Sequence, residues 1–355
     1  MSESLVHIDG LKKHFIQNSG LVNRLLGNTQ TVRAVDGVSF DINRGETFGL
    51  VGESGSGKST TARALVRLDE PTEGEVRFDG EEMGSLSDSE MKALRRRVQM
   101  VFQDPASSLN RRKTVSQLIK QPMKTHDLHK GNREERVDEL LETVGLSPEF
   151  SNRYPHEFSG GQQQRIGIAR ALSVEPELLV CDEPVSALDV SIQAQILNLL
   201  NDLQTEFDLT ILFIAHDLSV IRHVCDRVAV MYLGEIMEIG PTEELFANPK
   251  NPYTMSLLRS IPEVDPSLEV ERESLEGEVP SPINPPSGCS FHTRCPQATE
   301  ECAATDPALA AIDGSGETHF SACHYVSDFE DGLGIPIEED REDRYGTVTF
   351  KRRTS

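Results

Sequence analysis

The chain has 355 residues, with 58 Asp and Glu against 35 Lys and Arg, a formal net charge of −23. That balance excludes wrapping a nucleic-acid backbone, which needs a basic stripe. A hydrophobic content of 37% in well-formed runs excludes whole-chain disorder. No apolar run reaches the roughly 18 to 20 residues that span a bilayer. The start, MSESLVHIDG, lacks the basic and then apolar layout of a secretory signal. The expectation is a soluble cytoplasmic protein, held at a membrane only by a partner. Residues 261–355 carry 20 acids and 7 bases, and 25 Arg stand against 10 Lys. One reading is a halophilic chain from a high-salt cytoplasm, where screening tames self-repulsion. The other is an ordinary acidic protein with an acidic tail.

In chain order, residues 32–51 read as a strand pair joined by the turn Asn43-Arg44-Gly45. A Gly-rich loop follows, then a helix with Ala62, Leu65, Val66 and Leu68 apolar. Residues 74–79 read as a strand closed by Asp79-Gly80, and 90–99 and 132–145 as helices. Val98–Phe102 is strand-like. Ser159 caps a helix over 159–173, and Leu178–Cys181 is a short buried strand. A helix over 191–206 carries Ile192, Ile196, Leu199, Leu200 and Leu203 on one side, and Thr210–Ala215 is a second buried strand. Residues 228–233 and 236–239 read as an edge hairpin. Strands alternating with helices imply an α/β core with a parallel sheet, carrying a helical insertion at about 85–175. The expected domains are 1–260, a Pro-rich acidic linker 261–288, a Cys-rich segment 289–325 and an acidic tail 326–355.

Gly52-Glu53-Ser54-Gly55-Ser56-Gly57-Lys58-Ser59 fits G-x-x-x-x-G-K-[ST], with a strand before it and a helix after. Glycines let successive N–H groups turn toward one anion, and the helix start adds its positive end. Lys58 can reach β- and γ-phosphates, and the Ser59 hydroxyl can ligate Mg²⁺. The alternative, a Gly-rich turn with an incidental Lys, lacks that flanking context. The buried strand 178–181 delivers Asp182 and Glu183 to its C-terminal end, where open α/β sites form. Asp182 is placed to bind Mg²⁺, and Glu183 to deprotonate an attacking water. Standing alone, the pair could equally be a surface turn before Pro184.

Three further segments complete an ordered set: Phe158-Ser159-Gly160-Gly161-Gln162 opening a helix, Ser186-Ala187-Leu188-Asp189 after the carboxylates, and His216 after a buried strand. With Gln103, the set resembles an ATP-binding cassette ATPase over about residues 5–260. Phe158 stands where that family has Leu. The resemblance implies a cassette fold: a P-loop NTPase core with an antiparallel β edge and a helical subdomain, plus here a Cys-rich extension. It implies that Lys58, Ser59 and Thr60 lie at the phosphates, and that Gln103 touches the metal and senses a membrane subunit. It implies Asp182 as the Mg²⁺ acid, Glu183 as catalytic base, His216 as holder of γ-phosphate and water, and Phe15 as the aromatic stacking on adenine. Ser159, Gly160, Gly161 and Gln162 would act in trans in a head-to-tail dimer, with Asp189 beside the shared nucleotide.

Segments 52–60, 102–105 with 108–110, 181–191 and 251–254, and the run Cys289–Pro296, resemble the ATPase subunits of oligopeptide and dipeptide importers, and the long segment between Phe15 and Val32 resembles the second of their two ATPases. That implies a related ATPase as heterodimer partner, two permease subunits, indirectly a solute-binding protein, and a place on the cytoplasmic membrane face. The branch also moves nickel and sugars. DNA-repair cassettes carry a long coiled coil before the Ser-Gly-Gly-Gln helix, absent here, and ribosome-bound members carry two cassettes. Cys289, Cys295, Cys302 and Cys323 fall within a short segment poor in large apolar residues. Disulfides are disfavoured in a reducing cytosol, which leaves buried thiols or a metal staple. The resemblance implies a [4Fe-4S] cluster there, with Zn the alternative.

Overall fold

The computed structural model describes residues 4–17, 30–186, 188–260, 277–312 and 318–326. The segments 18–29, 261–276 and 327–355, which hold most of the expected linker and the acidic tail, lie outside the described residues. Among the described residues, twelve strands form two sheets: β1 (Ser4–Gln17), β2 (Gln30–Asn43), β3 (Thr47–Val51), β4 (Glu73–Phe78), β5 (Glu81–Glu82), β6 (Val98–Val101), β7 (Leu178–Asp182), β8 (Thr210–Ile214), β9 (Arg227–Tyr232), β10 (Glu235–Pro241), β11 (Ala310–Ala311) and β12 (Phe320–Ser321). The smaller sheet runs β2-β1-β4-β5, and the larger β11-β12-β10-β9-β3-β8-β7-β6. Within the larger sheet, β9, β3, β8, β7 and β6 are mutually parallel. The α/β expectation with a parallel core therefore holds.

Strand alternation builds two cores. Leu178, Val180, Leu212 and Ile214 face the smaller sheet and the helix Lys58–Leu65, whose Ala62, Ala64 and Leu65 are buried. Leu179, Cys181, Ile211 and Phe213 face the other way, against helices. Each fully buried Leu, Ile or Phe contributes about 1.5–3 kcal/mol over leaving it exposed. Helices Val115–Thr125, Arg133–Thr143 and Gly160–Leu172 sit between β6 and β7. Helix Asp88–Arg97 precedes β6 and places Met91 and Leu94 in the core beneath the smaller sheet.

Three readings need correction. The strands on either side of Asn43-Arg44-Gly45 are not a pair: β2 pairs with β1, and β3 with β8 and β9. All five β3 residues are buried, as in a central parallel strand rather than a hairpin arm. The turn is fixed by Glu46, whose carboxylate accepts from the Asn43 N–H (2.6 Å) and side-chain amide (3.1 Å), and it carries the chain between sheets. The β9–β10 hairpin is antiparallel as expected, but it is no edge, because β12 pairs with β10. Leu68 lies past the end of helix Lys58–Leu65 and is half exposed.

Candidate functional site

Strands β3, β8, β7 and β6 are adjacent and parallel, so their C-terminal ends open along one edge. The phosphate loop follows β3, His216 follows β8, Asp182 ends β7 with Glu183 next, and Gln103 follows β6. Residues distant in sequence are thus delivered to one place by strand order alone. The loop turns where only glycine fits. Gly52 has φ 149°, and a Cβ there would meet the Met231 carbonyl oxygen at 2.0 Å; Gly57, with φ 107°, would meet that of Ala34 at 2.2 Å. Ser54 and Gly55 form the exposed tip, Ser56 is buried, and Thr60 is half-buried in the first helical turn.

Lys58 is buried, and its ammonium donates to the carbonyls of Gly52 (2.8 Å) and Glu53 (2.9 Å). Burial pulls its pKa below the ordinary lysine value, opposed by the charges of Glu183, Asp182 and Glu53. The Ser59 hydroxyl donates to Asp182 Oδ1 at 2.7 Å. Glu183 Oε2 accepts from Gln103 Nε2 at 2.7 Å and lies 3.4 Å from His216 Nδ1. Glu183 has φ 44°, strained for a side chain of this size. Its N–H donates to Ile214 O, and its carbonyl accepts from the Ser186 N–H and hydroxyl, so the backbone around it is fully engaged. Lys58, Ser59, Gln103, Asp182, Glu183 and His216 form one cluster.

The donor set suits a magnesium–triphosphate. A hydroxyl and a carboxylate in contact are hard oxygen ligands of the kind Mg²⁺ takes, and a buried ammonium that, among the described residues, meets backbone carbonyls and no carboxylate at hydrogen-bond distance is ready for an anion. Burial raises the Asp182 pKa, with the Glu183 charge adding to it. An acid whose folded pKa lies above its unfolded value loses stability as pH rises from the unfolded value through the folded one, and the loss is complete above it. Asp182→Asn, which keeps an acceptor for Ser59, should therefore raise the nucleotide-free melting temperature by a few degrees at neutral pH while abolishing Mg²⁺-dependent turnover. Parallel melting and hydrolysis assays check both halves.

Other candidate residues stand apart. Ser159 caps helix Gly160–Leu172: its hydroxyl accepts from the Gln162 N–H, and the Gln162 side chain accepts from the Ser159 N–H. Ser159 and Gly160 are exposed. Gly161 packs on helix Val190–Phe207, where a Cβ would meet Ile192 Cγ2 at 2.4 Å. Phe158, in place of Leu, is buried edge-on to Phe150, so packing absorbs the exchange. Asp189 is exposed at the N-cap of helix Val190–Phe207. Phe15 is partly exposed on β1, with the Lys13 ammonium 5.0 Å from its ring centroid. Among the described residues none of these joins the cluster by a hydrogen bond, ion pair or ring contact.

The four tail cysteines line one pocket, with Met237, Asn251 and Phe291. The segment carrying them is not set apart: β12 extends the larger sheet, and the Asn251 side chain donates to Met237 O and Ala322 O, both at 3.1 Å. Burial pushes Cys289 and Cys323 up to about 11. Among the described residues no group of three His, Cys, Asp or Glu could hold a metal ion. Nor, among the described residues, is any helix long and apolar enough to cross a membrane. Sequence reasoning missed the partners of Glu53: its N–H donates to the Tyr253 hydroxyl (3.0 Å), and its carboxylate takes Arg294. They lie 200 and 241 positions away, so no local signal marks them.

Residues 35–186 match the ABC transporter family, and 237–302 match the oligopeptide/dipeptide transporter C-terminal region. The oligopeptide transport ATP-binding protein AppF of Bacillus subtilis is 54% identical over 329 residues, 92% of this chain and 98% of that protein. Among solved structures, the dimeric cassette MJ0796, in a post-hydrolysis state bound to ADP and phosphate, is 31% identical. That match covers 67% of this chain and 98% of the other, with a TM-score of 0.58. Similar too is cbiO1 of Clostridium perfringens, part of the transporter complex cbiONQ: 28% identity, 69% and 91% coverage, TM-score 0.59.

Proposed function

This chain belongs to the ABC transporter family of ATPases, and we propose that it powers peptide import as one of two related ATPase chains beneath two permease subunits. The carrying observation is the six-residue cluster at the C-terminal edge of the parallel sheet. Peptide is preferred to nickel or sugar because the C-terminal match and the relative AppF both bear the oligopeptide name.

Lys58 and the N–H groups of the loop bind the phosphates, and Ser59 and Asp182 hold Mg²⁺, with Gln103 beside them. When bound, Mg²⁺ offsets negative charge on the phosphate oxygens. Glu183 takes the proton of the water that attacks the γ-phosphorus, and His216 orients that water and the γ-phosphate. Phe15 stacks on the adenine. The counterpart of Ser159–Gln162 on a second ATPase chain, a helix N-terminus whose capping box takes the outer two N–H groups and leaves those of the glycines for an anion, closes over the triphosphate, with the counterpart of Asp189 alongside. ATP joins the chains and hydrolysis parts them, a two-state switch the permeases read. Co-purification tests this: two integral membrane subunits and a related ATPase should accompany the tagged chain, and recovery of this chain alone from gently solubilised membranes would count against it.

We read residues 1–260 as the cassette, 261–288 as a linker, 289–325 as a cluster-binding segment and 326–355 as a tail. The cluster is [4Fe-4S], held by Cys289, Cys295, Cys302 and Cys323. Their common pocket supports this. A single zinc ion, with Zn–S bonds of about 2.3 Å, needs its sulfurs tightly gathered. Anaerobically purified protein should carry about four irons with acid-labile sulfide. Metal-free, fully folded protein would refute it. The net charge of −23 supports a halophilic origin. The melting temperature should then rise from low to molar KCl; one that does not rise would remove that reading.

A further inference from the structure

The back of the phosphate loop is gripped by the cysteine-bearing segment. Arg294 Nη1 and Nη2 donate to the two carboxylate oxygens of Glu53 at 2.6 and 3.1 Å, a bidentate pair. The Arg294 side chain is only 5% exposed. Its guanidinium lies 5.8 Å from the centre of the Tyr232 ring, which packs with Tyr253 and Phe291 at centroid distances of 4.7 and 5.4 Å. Arg294 is therefore seated by an aromatic cluster as well as by charge.

Glu53 is thereby held at every polar group. Its N–H donates to the Tyr253 hydroxyl, its carboxylate takes Arg294, and its carbonyl accepts from Lys58 Nζ and the Ser56 N–H. The last of these links matters for nucleotide. The ammonium assigned to the phosphates takes its position from the Glu53 carbonyl, and that carbonyl is steadied by Arg294 through the Glu53 side chain. An ion pair so withdrawn from water is stiffer and less screened than a surface pair.

We propose that Arg294 is a positioning residue for ATP binding, acting through Glu53 on the loop that carries Lys58, so that nucleotide affinity depends on the folded cysteine segment. The proposal rests on the ATPase reading above. In the full-length protein, Arg294→Ala should raise the Kd and KM for Mg-ATP about tenfold with kcat unchanged. Arg294→Lys, which keeps a charge but not the fork, should recover part of the loss. Glu53→Ala should raise the Kd for Mg-ATP as Arg294→Ala does, and the Kd of the double variant should be no worse than that of either single, as expected when one acts through the other. An unchanged Kd in folded Arg294→Ala, or additive losses in the double variant, would overturn the proposal. Should Arg294→Ala fail to fold, Arg294→Gln, which keeps the side-chain stem, decides by the same Kd and kcat criteria. Wild-type protein that binds no Mg-ATP sinks the ATPase reading itself; wild-type binding with unmoved variants sinks only the role of Arg294.

Discussion

Glu183→Gln should lower ATP hydrolysis at least a hundredfold while leaving ATP binding intact. Glutamine is isosteric with glutamate, so the strained backbone at φ 44° and its bonds to Ile214 and Ser186 should survive. The amide can still meet Gln103 and His216, but it cannot take a proton from water. Nucleotide would then be bound and not cleaved, and chains held together by ATP should accumulate. Steady-state phosphate release together with equilibrium nucleotide titration checks both parts. Near-wild-type turnover would remove Glu183 from the role of base.

Lys58→Ala should weaken nucleotide binding by about tenfold to a hundredfold, the worth of one charge-assisted hydrogen bond at about 1.5–3 kcal/mol. The reason lies in the resting geometry. The ammonium is buried and met by two backbone carbonyls of its own loop, with Asp182 and Glu183 acting on it electrostatically. Burial already works against its charge, so an incoming phosphate gains from an ammonium that water does not satisfy. Titration with a fluorescent ATP analogue reads the loss, and a melting curve without nucleotide confirms that the variant is folded. Unaltered affinity in a folded variant would contradict the phosphate-binding role.

Much of the site was legible in the sequence because its chemistry is local. The glycine spacing of 52–57 writes its own backbone requirement, and the structure gives the physical cause: carbonyls of Met231 and Ala34 press where a Cβ would stand. The buried strands 178–181 and 210–215 were legible from the apolar runs 178–181 and 211–215, each followed directly by a polar site residue, Asp182 or His216. What could not be read was partnership between strands. Residues 32–51 do not say which partner each strand takes: β2 turns to β1 while β3 enters the other sheet, with the Glu46 carboxylate bracing the turn between them. β1 escaped notice because its alternation is broken: Leu5 and Val6 are both buried, and no residue after Leu11 is. Helix Val115–Thr125 was missed because Pro122 stands inside it. β12, of two residues, covers the supposed edge and has no period to detect.

The account depends most on a site completed by a second chain. Within this chain, the helix start at Ser159 is exposed, and among the described residues it makes no hydrogen bond to the phosphate loop. Light scattering during turnover, with mass and phosphate release followed on the same sample, is the direct test. The account predicts that hydrolysis is seen only when the particles contain two ATPase chains, two copies of this one or this one with its relative. It also predicts that Glu183→Gln with ATP holds them in that form. A particle with one ATPase chain that hydrolyses ATP at the full rate would contradict it.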